Sequence, residues 1–432
     1  MLPARIDSDA VLHYAWRMPH AEPVRQYDAD RDADAVDRIH REVGWLGSSL
    51  SKPRADARER FIRDSTAFVA DIDGVAECYA ASMPGSMLYR GRPIAFSGIT
   101  SVLTSRIARQ RGLAGSTTAA LLRDAALDGA TVMGLGMFDQ GYYERHGFGT
   151  GACDHYAMFD PSLLNVPYCR RTPVRLTADD SQEMHAARLR RLRAHGAVSL
   201  DSPATTEFMA RRSDGDFGLG FRDGVGGELT HHLWINPDRA GTGPYKVLWM
   251  AYDTYEQFIE LLGLLRNLGD QVYLVRVVEP GGLQLQDFLD RPFRRHAEAK
   301  GGAYETYSTA VANFQFRVLD VGRAVDAVAS AHSDDVSIRI DDPAARYELD
   351  GWNGVGGVYR CSFGATSRAK PIDPAEEAVD ITMSVGDFTR VWLGVLPAST
   401  LYGLGRVTGD RDAASALDSV FIGSLPHTDW MF

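Results

Sequence analysis

The stretch from Gly98 to Gly149 constrains the fold more than any other part of the chain. It opens with an apolar, β-branched run, Ile99-Thr100-Ser101-Val102-Leu103-Thr104, which reads as a strand. A short basic loop follows, Arg109-Gln110-Arg111-Gly112-Leu113-Ala114-Gly115. Next comes a helical pattern with Leu113, Ala120, Leu121 and Leu127 on one side and Gly129 as its stop. A second apolar strand, Thr131 to Phe138, leads into an aromatic turn running from Gln140 through Tyr142, Tyr143 and His146 to Gly149. A helix start has unpaired N–H groups and a partial positive charge, so it attracts phosphate. Gly112 and Gly115 let a phosphate approach the backbone, and Arg106, Arg109 and Arg111 add charge. The plainer alternative is a glycine turn that caps a surface helix. A P-loop is excluded because no G-x-x-x-x-G-K-[ST] occurs, and Gly134-Leu135-Gly136 lacks the third glycine of a dinucleotide fingerprint and sits inside a strand.

Two blocks of this stretch resemble the GNAT superfamily of N-acetyltransferases. The spacing Arg109-x-x-Gly112-x-Ala114 is similar to that superfamily's acyl-CoA pyrophosphate loop. Tyr143-x-Arg145-x-Gly147-Phe148, one strand later, resembles its last block, where a tyrosine stands near the thiol of coenzyme A. Two blocks in that order, with a helix and a strand between them, are more specific than either alone.

The rest of the chain supplies the frame. Its 432 residues exceed one ordinary domain. A net charge of −11 argues against nucleic acid and anionic membrane as partners and favours cationic ligands. Cys78, Cys153, Cys169 and Cys361 are scattered, without metal-ligand spacing, and read as reduced thiols. No leader pattern and no long apolar run is seen, so a cytoplasmic chain without a membrane span is expected. Residues 1–22 read as an extension. Asp28, Asp30, Asp32, Asp34 and Asp37 lead into a helix; they complement its dipole or, alternatively, line a site for an amine. Phe68 to Ala76 reads as two strands turning at Asp73-Gly74. Prolines between Asp160 and Pro173 mark a boundary. Beyond it, Ser181 to His195 reads as a helix whose Arg188, Arg190, Arg191 and Arg193 form a solvated face. A strand–helix–strand pattern follows, but its Tyr252-Asp253-Thr254 loop has no glycine or arginine, which suggests the same architecture without a cofactor loop. His231 and His232 alternate on a strand and cannot easily share a metal, so no metal is expected. After Gly301-Gly302, short strands include Ala345 to Leu349, and helices Val321 to Ala331 and Val385 to Val395 are expected. The ending Trp430-Met431-Phe432 is apolar where most chain ends are polar, so it is expected to be buried.

Taken whole, the chain resembles the Eis (enhanced intracellular survival) family of acetyltransferases. That resemblance implies an α/β (α+β) fold of tandem GNAT-like domains with mixed sheets, followed by an α+β sterol-carrier-protein-like domain. The divisions would be a catalytic domain over 23–160, a second domain without cofactor over 161–302, and the carrier-like domain over 303–432. It also implies acetyl-CoA as cosubstrate, bound by Val102, Leu103, Thr104, Arg109, Gln110, Arg111, Gly112, Leu113, Ala114, Gly115, Phe138 and Asp139. Tyr143 would be the general acid, the carboxylate of Phe432 the general base, and the assembly a homohexamer. The chain departs from the family at Arg106, Gln110 and Phe138-Asp139, where proline, arginine and Ser-Glu are common. The acceptor would be a cationic amine, an aminoglycoside-like polyamine or a lysine side chain. Deprotonating such an amine (pKa about 10.4) at pH 7 costs roughly 4.6 kcal/mol, which a nearby base reduces. The competing reading is a non-catalytic protein whose carrier-like domain binds a lipid or a partner.

Overall fold

The structure, a computed structural model, describes residues 24–47, 50–290, 305–373, 375 and 378–432. The extension 1–22 lies outside the described residues. Three sheets organise the rest. The first has eight strands. Its leading part is Val24–Gln26, Thr66–Ile72, Val75–Tyr89, Arg92–Thr104 and Val132–Gly136, antiparallel except for the last two, which run parallel. The Asp73-Gly74 turn joins the second and third of these, as its residues require.

Sheet membership crosses the divisions read from sequence at 160 and 302. Asp154–Phe159 leaves the first sheet and enters the second, between Tyr307–Val311 and Val275–Val278. Phe314–Val318 returns to the first sheet and fills the place between Val132–Gly136 and Gly149–Thr150. Val198–Leu200 also pairs with the long Val75–Tyr89 strand. Each of the two halves is therefore completed by a strand from beyond its expected boundary. The third sheet, ordered Arg368–Pro371, Gly357–Phe363, Asp334–Asp341, Ile381–Ser384 and Val407–Gly409, belongs to the last part of the chain. Its buried Ile338, Ile340, Trp392 and Phe421 share one apolar core with Met83, Phe96, Phe316 and Val318 of the first sheet. Tyr89 and Trp392 stack across this seam at 4.3 Å, and the tyrosine hydroxyl donates to the Trp392 carbonyl.

Two expectations are corrected. Ala345 to Leu349 is not a strand: Pro343–Tyr347 forms a 3-10 turn, because Asp342 accepts from the Ala344 N–H and Pro343 occupies the first helical position. The arginine-rich helix ends at Arg190, and Arg188 and Arg191 are buried rather than solvated. Part of their surroundings comes from the chain's last residues: Asp429 pairs with Arg191, and the Trp430 ring lies against Arg188. Among the described residues no helix is long and apolar enough to cross a membrane.

Candidate active site

The strands Arg92–Thr104 and Val132–Gly136 form the floor of the site. They run parallel from Phe96↔Val132 to Ile99↔Leu135 and pair no further. The register of the Arg92–Thr104 strand against Val75–Tyr89 slips where Ser101 faces Ala81 and Ile99 faces Ser82. Thr100 is the extra residue of this bulge, which bends the strand away. Beyond Ile99, the edge that faced Val132–Gly136 is free of its partner strand, and Val102, Leu103 and Thr104 lie there. Leu103 turns its side chain into the core against Val36 and Tyr79, so only its backbone faces the gap.

The basic loop stands next to this gap. Gly112 has φ +83°, the left-handed geometry that glycine adopts without penalty, and it precedes the helix Leu113–Leu127. No side chain caps that helix start. Arg109, Gln110 and Arg111 are exposed, Leu113 is buried against Cys78 and Ala108, and Ala114 packs beside them. Gly115 is covered from the C-terminal part of the chain: a Cβ there would meet the Tyr347 hydroxyl at 2.8 Å. Tyr347 in turn stacks on buried His146 with ring centroids 5.7 Å apart.

Tyr143 lies on the short helix Gln140–Glu144, whose N-cap is Asp139: its carboxylate accepts from the Tyr142 N–H at 3.2 Å. Asp139 is thus engaged in holding the helix, whereas Phe138 projects into solvent, 89% exposed. Tyr143 is buried in the cluster that contains Ile99, Leu135 and Phe148. Burial, with the Asp139 charge adding to it, pushes its hydroxyl up to about 12. The following turn is clamped by a fully buried ion pair, Arg317 with Asp342 at 2.6 Å. Arg317 also donates to the His146 carbonyl, and Asp342 accepts from the N–H groups of Ala344 and Val355. Burial, then nearby arginines, lowers His146 to about 3, which keeps it neutral.

The chain's last residues reach the same gap. The His427 N–H donates to the His195 carbonyl at 2.7 Å. Asp429 accepts two hydrogen bonds from Arg191, at 2.8 and 2.5 Å. Trp430 is buried beneath the Arg188 guanidinium, which lies 3.6 Å from its ring centroid and 4.6 Å from that of Trp249. Phe432 then sets its ring 5.4 Å from both Phe96 and Phe314. Its seat is made by glycine: a Cβ on Gly98 would meet the Phe432 ring at 2.9 Å, and one on Gly136 would meet its backbone oxygen at 3.4 Å. In the Gly134-Leu135-Gly136 pattern, which reads poorly as a dinucleotide loop, Gly134 leaves room for the Phe96 and Phe316 rings, and Gly136 lies beside the Phe432 backbone oxygen.

Three of the five aspartates at the first helix, Asp28, Asp32 and Asp37, serve the fold. Asp28 caps it; Asp32 is buried and doubly bonded to Arg25 at 2.6 and 2.7 Å; Asp37 pairs with Arg58 at 2.5 Å. Their alternative role as an amine site is not needed to explain them. His231 bonds Glu260 and His232 bonds the Trp249 indole, each on its own face. Among the described residues no group of three or more metal-ligating side chains is found.

Sequence reading missed the tail anchors Arg188, Arg191 and Asp429, and the clamp of Arg317 with Asp342, because every one of these contacts joins distant segments. The apolar chain end was the one signal that pointed to the tail anchors.

Comparison with known proteins agrees with this architecture. Residues 321–429 match the family model of the sterol carrier protein domain. A conserved protein of unknown function from Enterococcus faecalis V583, described as a probable N-acyltransferase, superposes with a TM-score of 0.76 at 16% identity, covering 95% of this chain and 99% of that one. Eis1 from Mycobacterium abscessus superposes at 0.73 and 16% identity, covering 95% and 100%. A GCN5-related N-acetyltransferase from Kribbella flavida superposes at 0.70 and 17% identity, covering 95% and 99%. By sequence, no curated protein matches. With its splayed parallel strands, a helix start behind a basic loop and a terminal sterol-carrier-protein-like domain, this chain shares the overall fold of these solved structures.

Proposed function

We propose that the protein is an N-acetyltransferase that moves an acetyl group from acetyl-CoA to a primary amine, with Tyr143 as general acid and the Phe432 carboxylate as general base. The observation that carries this reading is the placement of Phe432. A residue delivered from the far end of the chain sits beside Gly136, at the point where the two floor strands part.

Acetyl-CoA fits the residues present. The uncapped helix start, left-handed Gly112 and exposed Arg109 and Arg111 are suited to a pyrophosphate, held by the backbone from Gln110 to Gly115. Acetyl-CoA supplies an activated acyl carbon and a thiolate leaving group. The chain does the rest. In this reading, backbone N–H groups beyond Ile99, on the edge where pairing with Val132–Gly136 has ended, hold the acyl oxygen as it gains charge. The Phe432 carboxylate takes one proton from the acceptor ammonium and passes it to solvent; the N–C bond forms as the C–S bond breaks, the departing sulfur receives the Tyr143 proton, and the second proton leaving the nitrogen restores the tyrosine hydroxyl. A hydroxyl raised to about 12 stays protonated at neutral pH, so it is always ready to donate. It transfers that proton fully only where burial raises the thiolate as well, since an unperturbed thiol lies near 8.5.

The test is thiol release from acetyl-CoA across a panel of amines, run with an acetyl-CoA thermal-shift titration. A ligand that binds only the folded state raises the melting temperature by mass action. Stabilisation by acetyl-CoA together with amine-dependent thiol release supports the reading. Stabilisation without release to any amine favours the non-catalytic alternative.

A further inference from the structure

Next to Phe432 lies a cavity of about 190 Å³ between the second sheet and the chain's last residues. Its walls carry two cations and two anions: Arg191, Arg193, Asp154 and Asp429. Arg191 and Asp429 neutralise one another in the two-point pair that anchors the tail. Among the described residues the other two have no such partner. Asp154 is 5% exposed, and its carboxylate accepts from the neutral amide of Asn313 at 2.7 Å. Arg193 is half-buried, and among the described residues its guanidinium reaches the hydroxyls of Ser86 and Ser199, at 3.3 and 3.4 Å. Burial is the largest influence on both: it raises the Asp154 carboxyl and lowers Arg193, outweighing the weaker pulls of His427 on the first and Asp429 on the second. A ligand that brings both missing charges would relieve both groups at once.

The position of Asp154 relative to the acetyl site is also fixed. Asn313 donates from its side chain to Asp154, while its carbonyl accepts from the Met137 N–H at 2.7 Å, one residue past the floor strand Val132–Gly136. Phe314, which follows it, lines the cavity and packs against the Phe432 ring. An ammonium on Asp154 is thus one residue of chain away from both the floor strand and the residue read as the base.

We propose that the acceptor is a zwitterion: a primary amine held at Asp154 that carries its own anionic group, a carboxylate or a phosphate, held at Arg193. This rests on the N-acetyltransferase reading and narrows it. The overall charge of −11 points to cationic ligands, but the cavity itself is balanced, and its balance sets what it takes. Its volume of about 190 Å³ is below the roughly 300–1,000 Å³ of pockets for drug-sized ligands, which suits an acceptor of amino-acid size.

The experiment compares matched pairs on the full-length protein: phenylalanine against phenethylamine, and O-phosphoethanolamine against ethanolamine. Thiol release and calorimetric binding in the presence of coenzyme A are both read. The anionic member of at least one pair should be preferred by about ten-fold or more, the scale of a hydrogen bond to a charged group. Which pair shows the preference distinguishes carboxylate from phosphate. Arg193→Met should collapse that ratio towards unity, and Arg193→Lys, which keeps the charge, should restore part of it; melting temperatures check that both variants fold. Equal or better use of the anion-free amines, or a ratio unchanged in Arg193→Met, would overturn the proposal. Binding preference without thiol release would leave the zwitterion site standing and count against the transferase reading instead.

Discussion

Deleting Phe432 separates a catalytic chain end from a structural one. The tail is held upstream of this residue, by the Asp429 pair with Arg191 and by buried Trp430 under Arg188. Those anchors survive the deletion. What is lost is one partly buried ring with two aromatic neighbours at 5.4 Å, a cost of about 1–2 kcal/mol and a fall of at most a few degrees in melting temperature. The new terminal carboxylate, on Met431, is withdrawn by about 3.3 Å, the rise of one extended residue. Loss of a positioned general base costs roughly 10²–10⁴ in rate. Turnover should therefore fall by at least about a hundred-fold while acetyl-CoA still raises the melting temperature. A Gly-Ser extension keeps the ring but replaces the carboxylate with an amide, and should cost as much. Rates and melting curves are taken on the same samples. If either variant kept turnover within about three-fold of the parent, whatever its melting temperature, Phe432 would be a packing residue and the base would lie elsewhere.

Three further outcomes are expected. Tyr143→Phe should leave acetyl-CoA binding near normal and lower kcat, because the ring stays in its cluster while the proton donor is gone; unchanged kcat would move the acid to another group. Gly112→Asp should abolish stabilisation by acetyl-CoA, since it places a negative charge and a strained left-handed residue at the loop; an equal thermal shift in variant and parent would put the cosubstrate elsewhere. Acid should unfold the protein early. Burial lowers His40 and His185 to about 4 and His146 and His232 to about 3, so between pH 6.5 and 4 the unfolded chain binds more protons than the folded one. Stability is whole above pH 6.5 and falls below it by up to about 1.4 kcal/mol per histidine per pH unit; a melting temperature flat from pH 7.5 to 5 would contradict this.

What could be read from the residues was local, and what could not was long-range. The helix Leu113–Leu127, the Asp73-Gly74 turn and the strand of Val132–Gly136 follow from periodicity and turn chemistry within a few residues. The exchange of Asp154–Phe159 for Phe314–Val318 depends on pairing partners far apart in the chain, such as Val275↔Phe159 and Phe314↔Gly136, and neither strand's pattern says which sheet it joins. The arginine-rich helix shows the same limit. By composition Arg188 belongs in solvent; it is buried because Trp249 and Trp430 close over it from two distant segments.

That exchange explains why the site can be assembled at all. The Phe314–Val318 strand carries Phe314 against Phe432, Arg317 against the His146 turn and Asp342, and, just before its first residue, Asn313 against Asp154 and Met137. One short segment thus touches the residue read as the base, the turn after the residue read as the acid, and the carboxylate read as the acceptor's anchor. Were each half of the chain to close its own sheet, these groups would stand on separate bodies, and their spacing would vary with every relative motion. With the strand exchanged, and with the third sheet's core continuous with the first, displacing any one of them means breaking buried pairing. A reaction that needs base, acid and acceptor within reach of one acyl carbon gains from such rigidity, because a displacement of about 1 Å can cost a hundred-fold in rate. The terminal domain accordingly has a role here whether or not it binds anything itself: it completes the core beneath the floor strands, covers Gly115 with Tyr347, and ends in the residue that fills the gap between the strands.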